Sequence, residues 1–160
     1  MNIYDVIVVG GGHAGCEAAH ASARLGSKTL LITMKIDGIG QMSCNPAIGG
    51  IGKSHLAREV DALDGLMCKA ADDASLQSRV LNSSKGAAVR ATRIQTCRDE
   101  YKKAMQKDIL NHENLTVLQS TVKSVKFSKN RAEGVVIETG DYIKSKCVVL
   151  TAGTFLGGVI

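Results

Sequence analysis

Apolar positions along this chain follow two rhythms. Residues 4–10, YDVIVVG, form a short continuous apolar run that closes on glycine. That is the pattern of a parallel strand buried on both faces. Residues 14–25, AGCEAAHASARL, switch to a helical period. Ala14, Ala18, Ala21 and Leu25 share one face, and Gly26 supplies a stop. The small alanine face would let this helix lie close on a sheet. KTLLIT (28–33) predicts a second strand, so strand, glycine turn, helix and strand follow one another as a βαβ unit. Farther on, Leu56, Val60, Leu63 and Met67 recur at helical spacing and predict a helix over 56–67. Tyr101, Met105 and Ile109 predict another over 98–110, and LTVLQSTV (115–122) reads as a strand. Residues 123–146 alternate around SKNR and TGDY, which predicts an antiparallel hairpin or a three-stranded meander. CVVLTAG (147–153) returns to the buried-strand pattern. No repeat, linker or low-complexity segment interrupts the series.

Composition narrows the class. The chain has 160 residues and is 44% hydrophobic, enough for one domain with a core and too apolar for a disordered chain. No apolar run approaches the roughly 18 to 20 residues of a membrane span. The start reads as a strand and not as a signal or transit peptide, so a cytoplasmic protein is expected. The five cysteines include no C-x-x-C pair, which argues against a disulfide framework or a zinc site and for small buried hydrophobes. Charge is uneven. Residues 1–78 carry a net −2, residues 79–103 a net +5 and residues 104–160 a net +2. The basic segment suits either a solvated face or a polyanion such as RNA. With three Tyr, two Phe and no Trp, a base-stacking platform is not expected.

Gly10-Gly11-Gly12-His13-Ala14-Gly15 fits G-x-G-x-x-G, and it leaves a strand and opens a helix. Gly10 permits the tight turn, Gly12 lets backbone approach a pyrophosphate, and Gly15 allows close helix–strand contact. First-turn N–H groups and the helix dipole favour the phosphates. The acid that usually ends the second strand and binds ribose hydroxyls is missing. Thr33 and Met34 stand there, and Asp37 comes late. Thr33, a backbone group or a water must serve instead, which weakens a generic NAD reading. The antiparallel strands before CVVLTAG favour FAD. They predict an α/β, Rossmann-like domain of the two-dinucleotide-binding flavoprotein type, with a parallel sheet and a β-meander in place of a crossover helix. The last strand should close near the pyrophosphate loop, with Gly153 at its end as a further cofactor contact. His13 is expected to hydrogen-bond phosphate or ribose.

SCNPAIGGIGKSH (43–55) is the second glycine-rich stretch. It is not a P-loop. With Gly52-Lys53-Ser54 as the end of G-x-x-x-x-G-K-[ST], the first glycine belongs at 47, where Ala47 stands. Its glycines should precede a helix near 51–64, whose N-terminus could stabilise a reduced flavin. Cys44, placed just before that helix N-terminus, would gain thiolate character.

Four segments carry a resemblance: GGGHAGCEAA, GQMSCNPAIGGIGKSHLAREVDALDGLM, LNSSKGAAVRATR and VVLTAGTFLGG. Together they resemble the bacterial MnmG (GidA) family of tRNA uridine 5-carboxymethylaminomethyl modification flavoproteins. The resemblance covers essentially the entire chain. It departs at Ala87, where the family usually has Pro, and at Ser54, where it usually has Gly. Family members are much longer, so residues 1–160 are expected to be the N-terminal part of an FAD-binding domain. The resemblance implies a homodimer that binds FAD and uses NADH and methylene-tetrahydrofolate. With the GTPase MnmE, the family adds an aminomethyl or carboxymethylaminomethyl group to C5 of the wobble uridine of certain tRNAs. It implies FAD contacts at Gly10 to Gly15, at Asn45 and Gly50, and at Val122 through its backbone. It implies a catalytic Cys44. Cys16 is read as structural, facing out of its helix. Lys53, Lys85, Arg90 and Arg93 are candidates for the tRNA backbone or the flavin phosphates. Two other readings remain: a folate- and FAD-dependent tRNA uridine methyltransferase, and a dinucleotide-binding module without chemistry of its own.

Overall fold

The computed structural model describes residues 3–154. Residues 155–158 of the last quoted segment lie outside the described residues. Along the chain run β1 (Tyr4–Val9), α1 (His13–Arg24), β2 (Thr29–Thr33), β3 (Ala47–Gly49), α2 (Ser54–Ala62), α3 (Leu66–Asp73) and β4 (Ser75–Leu81). Then come β5 (Ala91–Thr96), α4 (Arg98–Leu110), β6 (Leu115–Gln119), β7 (Val122–Ser128), β8 (Arg131–Ile137) and β9 (Tyr142–Leu150). They form two compact units, one from residues 1–39 and 108–160 and the other from residues 40–107.

The first unit is a six-stranded sheet in the order β6-β2-β1-β9-β8-β7. β6, β2, β1 and β9 run parallel. β2 is buried at all five positions, as a central parallel strand must be. Ile7, Val9, Leu30 and Ile32 form one face and cluster with Val122, Val135 and Ile137 of the meander. Val8 and Leu31 point the other way, where α1 packs on β1 and β2. The meander therefore covers one face and α1 the other, as expected for the flavoprotein layout. The sequence reading had two strands where the fold has one. β9 pairs antiparallel with β8 through Tyr142 to Lys144 and parallel with β1 from Ser145 onward. One strand thus ends the meander and completes the parallel sheet. The strand expected over 115–122 also divides, into β6 and the start of β7.

The buried face of α1 differs from the alanine face read above. Gly15, Cys16, Ala19, His20 and Ala23 are buried, while Ala14 and Leu25 are exposed. Alanines at 14, 18, 19, 21 and 23 left more than one face open to the sheet, and the face that packs is the one carrying Gly15, which lies against the Gly10 carbonyl. Cys16 faces inward, its thiol 3.5 Å from the Gly11 carbonyl. It is the one buried cysteine of the five. Cys44 and Cys147 are exposed, and Cys68 and Cys97 are half-buried.

The second unit enters between β2 and β6. It contains an antiparallel sheet, β3-β5-β4, that the sequence reading missed altogether. The single helix expected over 56–67 is two. Asp64 at φ +66 breaks it, and the Gly65 N–H closes the turn on the Val60 carbonyl. Leu56 and Leu63 of the expected core stripe are exposed. α4 matches its expectation, with Tyr101, Met105 and Ile109 fully buried. Among the described residues no helix is long and apolar enough to cross a membrane.

These burial states separate two apolar residues of similar size. Met105→Ala should destabilise the fold by about 2 to 5 kcal/mol. Leu56→Ala should change stability by no more than about 0.5 kcal/mol. Urea denaturation of both variants checks the pair. Equal losses would contradict the exposure of α2.

Candidate functional site

The glycine loop sits at the carboxyl end of β1, where ligands of open α/β sheets bind. Each glycine has a separate physical duty. Gly10 holds φ +108, and a Cβ there would strike the Thr151 carbonyl. A Cβ on Gly15 would overlap the Gly10 carbonyl oxygen, so only glycine lets α1 start this close to β1. A Cβ on Gly11 would reach 2.6 Å from Thr33 Oγ1. Gly12 is different. Nothing lies within 4 Å of a Cβ built there, and its φ of −72° suits any residue. No side chain caps the helix at Gly12. The loop is thus fixed at Gly10, Gly11 and Gly15 and open at Gly12, with first-turn amides at a helix N-terminus. These residues fit a pyrophosphate.

The other first-unit candidates surround this loop unequally. Ala14 is exposed on the first turn. His13 opens α1 half-buried. Burial lowers its pKa below the ordinary value, with Glu17 one turn on opposing the shift. A neutral imidazole therefore prevails at neutral pH. Thr33 is buried beneath Gly11, its hydroxyl 3.4 Å from the Lys35 carbonyl. Val122 begins edge strand β7 with its side chain in the core, which leaves its backbone at the sheet margin. Gly153 is exposed at φ +58. Sequence reasoning missed Thr151. Its N–H donates to the Val9 carbonyl at 2.9 Å, and its hydroxyl lies 2.9 Å from that oxygen and 3.1 Å from the Gly10 carbonyl. β9 therefore closes on the loop as expected. The only signal for Thr151 was its place after a buried strand.

The second unit holds the remaining candidates. Cys44 is exposed and precedes β3, so the expected position at a helix N-terminus is not realised. β3 and the glycine turn separate it from α2, because residues 47–49 pair with β5. Asn45 Oδ1 accepts from Arg93 Nη2 at 3.2 Å, and Thr96 N–H donates to the Pro46 carbonyl at 3.0 Å. Both bonds tie the Cys44 loop to β5. Gly50 spends its N–H internally, on the Thr92 carbonyl at 2.8 Å and Ser54 Oγ at 3.0 Å. The Ser54 hydroxyl donates to the Thr92 carbonyl at 2.6 Å. It locks its own turn and is not presented as a P-loop serine would be. Lys53, Lys85 and Arg90 are exposed, and Arg90 Nε donates to the Lys85 carbonyl at 3.2 Å. Arg79 and Arg93 stand directly opposite on β4 and β5. Two cations in that register repel unless an anion lies between them.

Comparison with known proteins adds the decisive observation. The family model described as glucose inhibited division protein A matches residues 5–160. The chain belongs to the GidA family. It is similar to GidA of Aquifex aeolicus in two crystal forms. In form II the identity is 48% and the TM-score 0.91, covering 94% of this chain and 25% of that one. In form I the identity is 47% and the TM-score 0.92, covering 96% and 26%. The chain thus spans about a quarter of the length of these GidA structures. A probable FAD-dependent monooxygenase from Pseudomonas aeruginosa shares the fold alone, at 16% identity and TM-score 0.63, covering 92% of this chain and 42% of that one.

The GidA loop geometry separates folding from binding. Gly12→Ala should leave the melting temperature unchanged and weaken dinucleotide binding at least tenfold. Gly15→Ala should lower stability by about 1 to 3 kcal/mol through overpacking. Thermal melts and equilibrium titration of both variants check this. A Gly12→Ala variant that binds normally would refute a pyrophosphate seated against the open face at Gly12.

Proposed function

We propose that this chain carries the pyrophosphate-holding loop of an FAD-dependent tRNA-modifying enzyme. With the GTPase MnmE, that enzyme would add an aminomethyl or carboxymethylaminomethyl group to C5 of the wobble uridine. The observation that carries the reading is the 47 to 48% identity to GidA over nearly the entire chain, joined to a loop whose open glycine fits a pyrophosphate. Gly10 to Gly15 would hold the phosphates, Thr33, which also supports Gly11 from below, would serve the ribose in place of the missing acid, and the Val122 backbone would meet the adenine. Gly153 would contact the cofactor after Thr151 pins the strand end. His13, neutral at pH 7, would donate or accept one hydrogen bond there. FAD bound in this way would supply two-electron redox chemistry, with NADH as reductant and methylene-tetrahydrofolate as carbon donor.

Cys44 would serve as the catalytic thiol. Its support is exposure together with a loop held at Asn45 and Pro46, so that a reactive sulfur stays accessible and positioned. Asn45 and Gly50 are retained as cofactor contacts, Gly50 through its open Cα face, since its N–H and carbonyl are both bonded within the turn. Lys53, Lys85, Arg90 and Arg93 would meet the tRNA backbone. The opposed Arg79 and Arg93 favour a polyanion over a bare solvated face. A homodimer is part of the same proposal.

Wobble-uridine modification by the full-length protein tests the assignment. Cys44→Ser should reduce the rate by at least a hundredfold while flavin content and tRNA affinity stay at wild-type levels. A normal rate in that variant would remove Cys44 from the chemistry.

A further inference from the structure

A cleft of about 570 Å³ lies wholly within the second unit, between the Gly50–Gly52 turn, the start of α2 and the segment 87–92. Its size is that of a small-ligand pocket. His55, Arg58 and Arg90 line it, and no carboxylate does. Arg58 Nη2 donates to Thr92 Oγ1 at 3.2 Å, and Arg90 Nε donates to the Lys85 carbonyl at 3.2 Å. Each guanidinium is thus held by one neutral acceptor while its other donors stay available. Among the described residues no carboxylate pairs with either arginine. Two fixed cations without a counter-charge at one cavity raise the local potential and attract an anion. Val80 and Ala88 also line the cleft and give it a small apolar wall. Gly52 at φ +71 opens onto free space, where a Cβ would meet nothing within 4 Å.

We propose that this cleft binds a backbone phosphodiester of an RNA strand, with Arg58 and Arg90 on the phosphate and the Val80–Ala88 wall against the adjoining nucleoside. The inference rests on the tRNA reading and gives it a location. It separates Arg90, which lines the cleft, from Arg93, which is tied to Asn45. It also adds Arg58 and His55, which the sequence reading passed over. Arg58 lies four residues beyond Ser54 on α2, so the glycine turn and the arginine reach one cavity from a single helix start.

The test is equilibrium binding of tRNA to the full-length protein across a sodium chloride series. Wild type, Arg58→Gln with Arg90→Gln, Arg58→Lys with Arg90→Lys, and Lys126→Gln on β7 are compared. The double Gln variant should lose at least tenfold in affinity near physiological salt. Its log K against log salt slope should fall by about 1.5 to 2, the loss of two phosphate-neutralising charges. The double Lys variant should regain most of the slope, which separates lost charge from lost fold, and Lys126→Gln should match wild type. A parallel titration with inorganic phosphate should show weaker binding than a 5′-phosphorylated uridine dinucleotide. Equal affinity for the two would overturn the nucleoside wall. Wild-type affinity and slope in the double Gln variant, with tRNA still bound, would overturn the cleft and leave the tRNA reading standing. No tRNA binding by wild type would overturn both.

Discussion

The contact on which the first unit depends is the approach of α1 to the end of β1. At Gly15 the helix comes so near the Gly10 carbonyl that no Cβ fits between them. This proximity makes the β1–α1 turn short and aims the first helical amides at the space beyond the sheet. It also explains the tight packing around the turn. Thr33 supports Gly11 from β2, and Thr151 fastens the end of β9 to the Val9 and Gly10 carbonyls. Three adjacent parallel strands therefore converge on one loop, and of its four glycines Gly12 is the one left facing outward. A site built this way is preorganised, since its open position is set by closed ones.

The second unit uses glycine for another purpose. Gly49, Gly50 and Gly52 all hold positive φ. Gly49 has no room for a side chain against Thr92, whereas Gly50 and Gly52 open to free space. The Thr92 carbonyl gathers the Gly50 N–H and the Ser54 hydroxyl, so the turn is bound to β5 and not to a phosphate. A Gly-Lys-Ser can thus end a strand–turn–helix passage without being a P-loop. What it shapes instead is one wall of a cleft whose charges come from Arg58 and Arg90.

Much of the first unit, and helix α4 that leads back into it, was legible because the signals are local. β1 and β2 are unbroken apolar runs, the G-x-G-x-x-G lies between them, and Tyr101, Met105 and Ile109 keep a clean helical period in α4. The buried face of α1 was not legible, because alanine on more than one face leaves packing to choose the rotation. The antiparallel sheet β3-β5-β4 was not legible either. β4 is exposed at six of its seven positions and β3 has three residues, so neither shows the alternation of a half-buried strand. The same holds for the cleft. Arg58 looked like one charge on a helix surface, and its meaning depends on a sheet that had not been read. The identity of the family was legible in SCNPAIGGIGKSH, although the position expected for Cys44 at a helix N-terminus was not realised.

The central claim is that the β1–α1 loop holds the pyrophosphate of a flavin dinucleotide. Competition measured by flavin fluorescence tests it most directly. FAD bound to the full-length protein should be displaced by ADP-ribose, which carries the same pyrophosphate and ribose, and should resist riboflavin, which lacks them. Displacement by riboflavin with no effect of ADP-ribose would contradict the account.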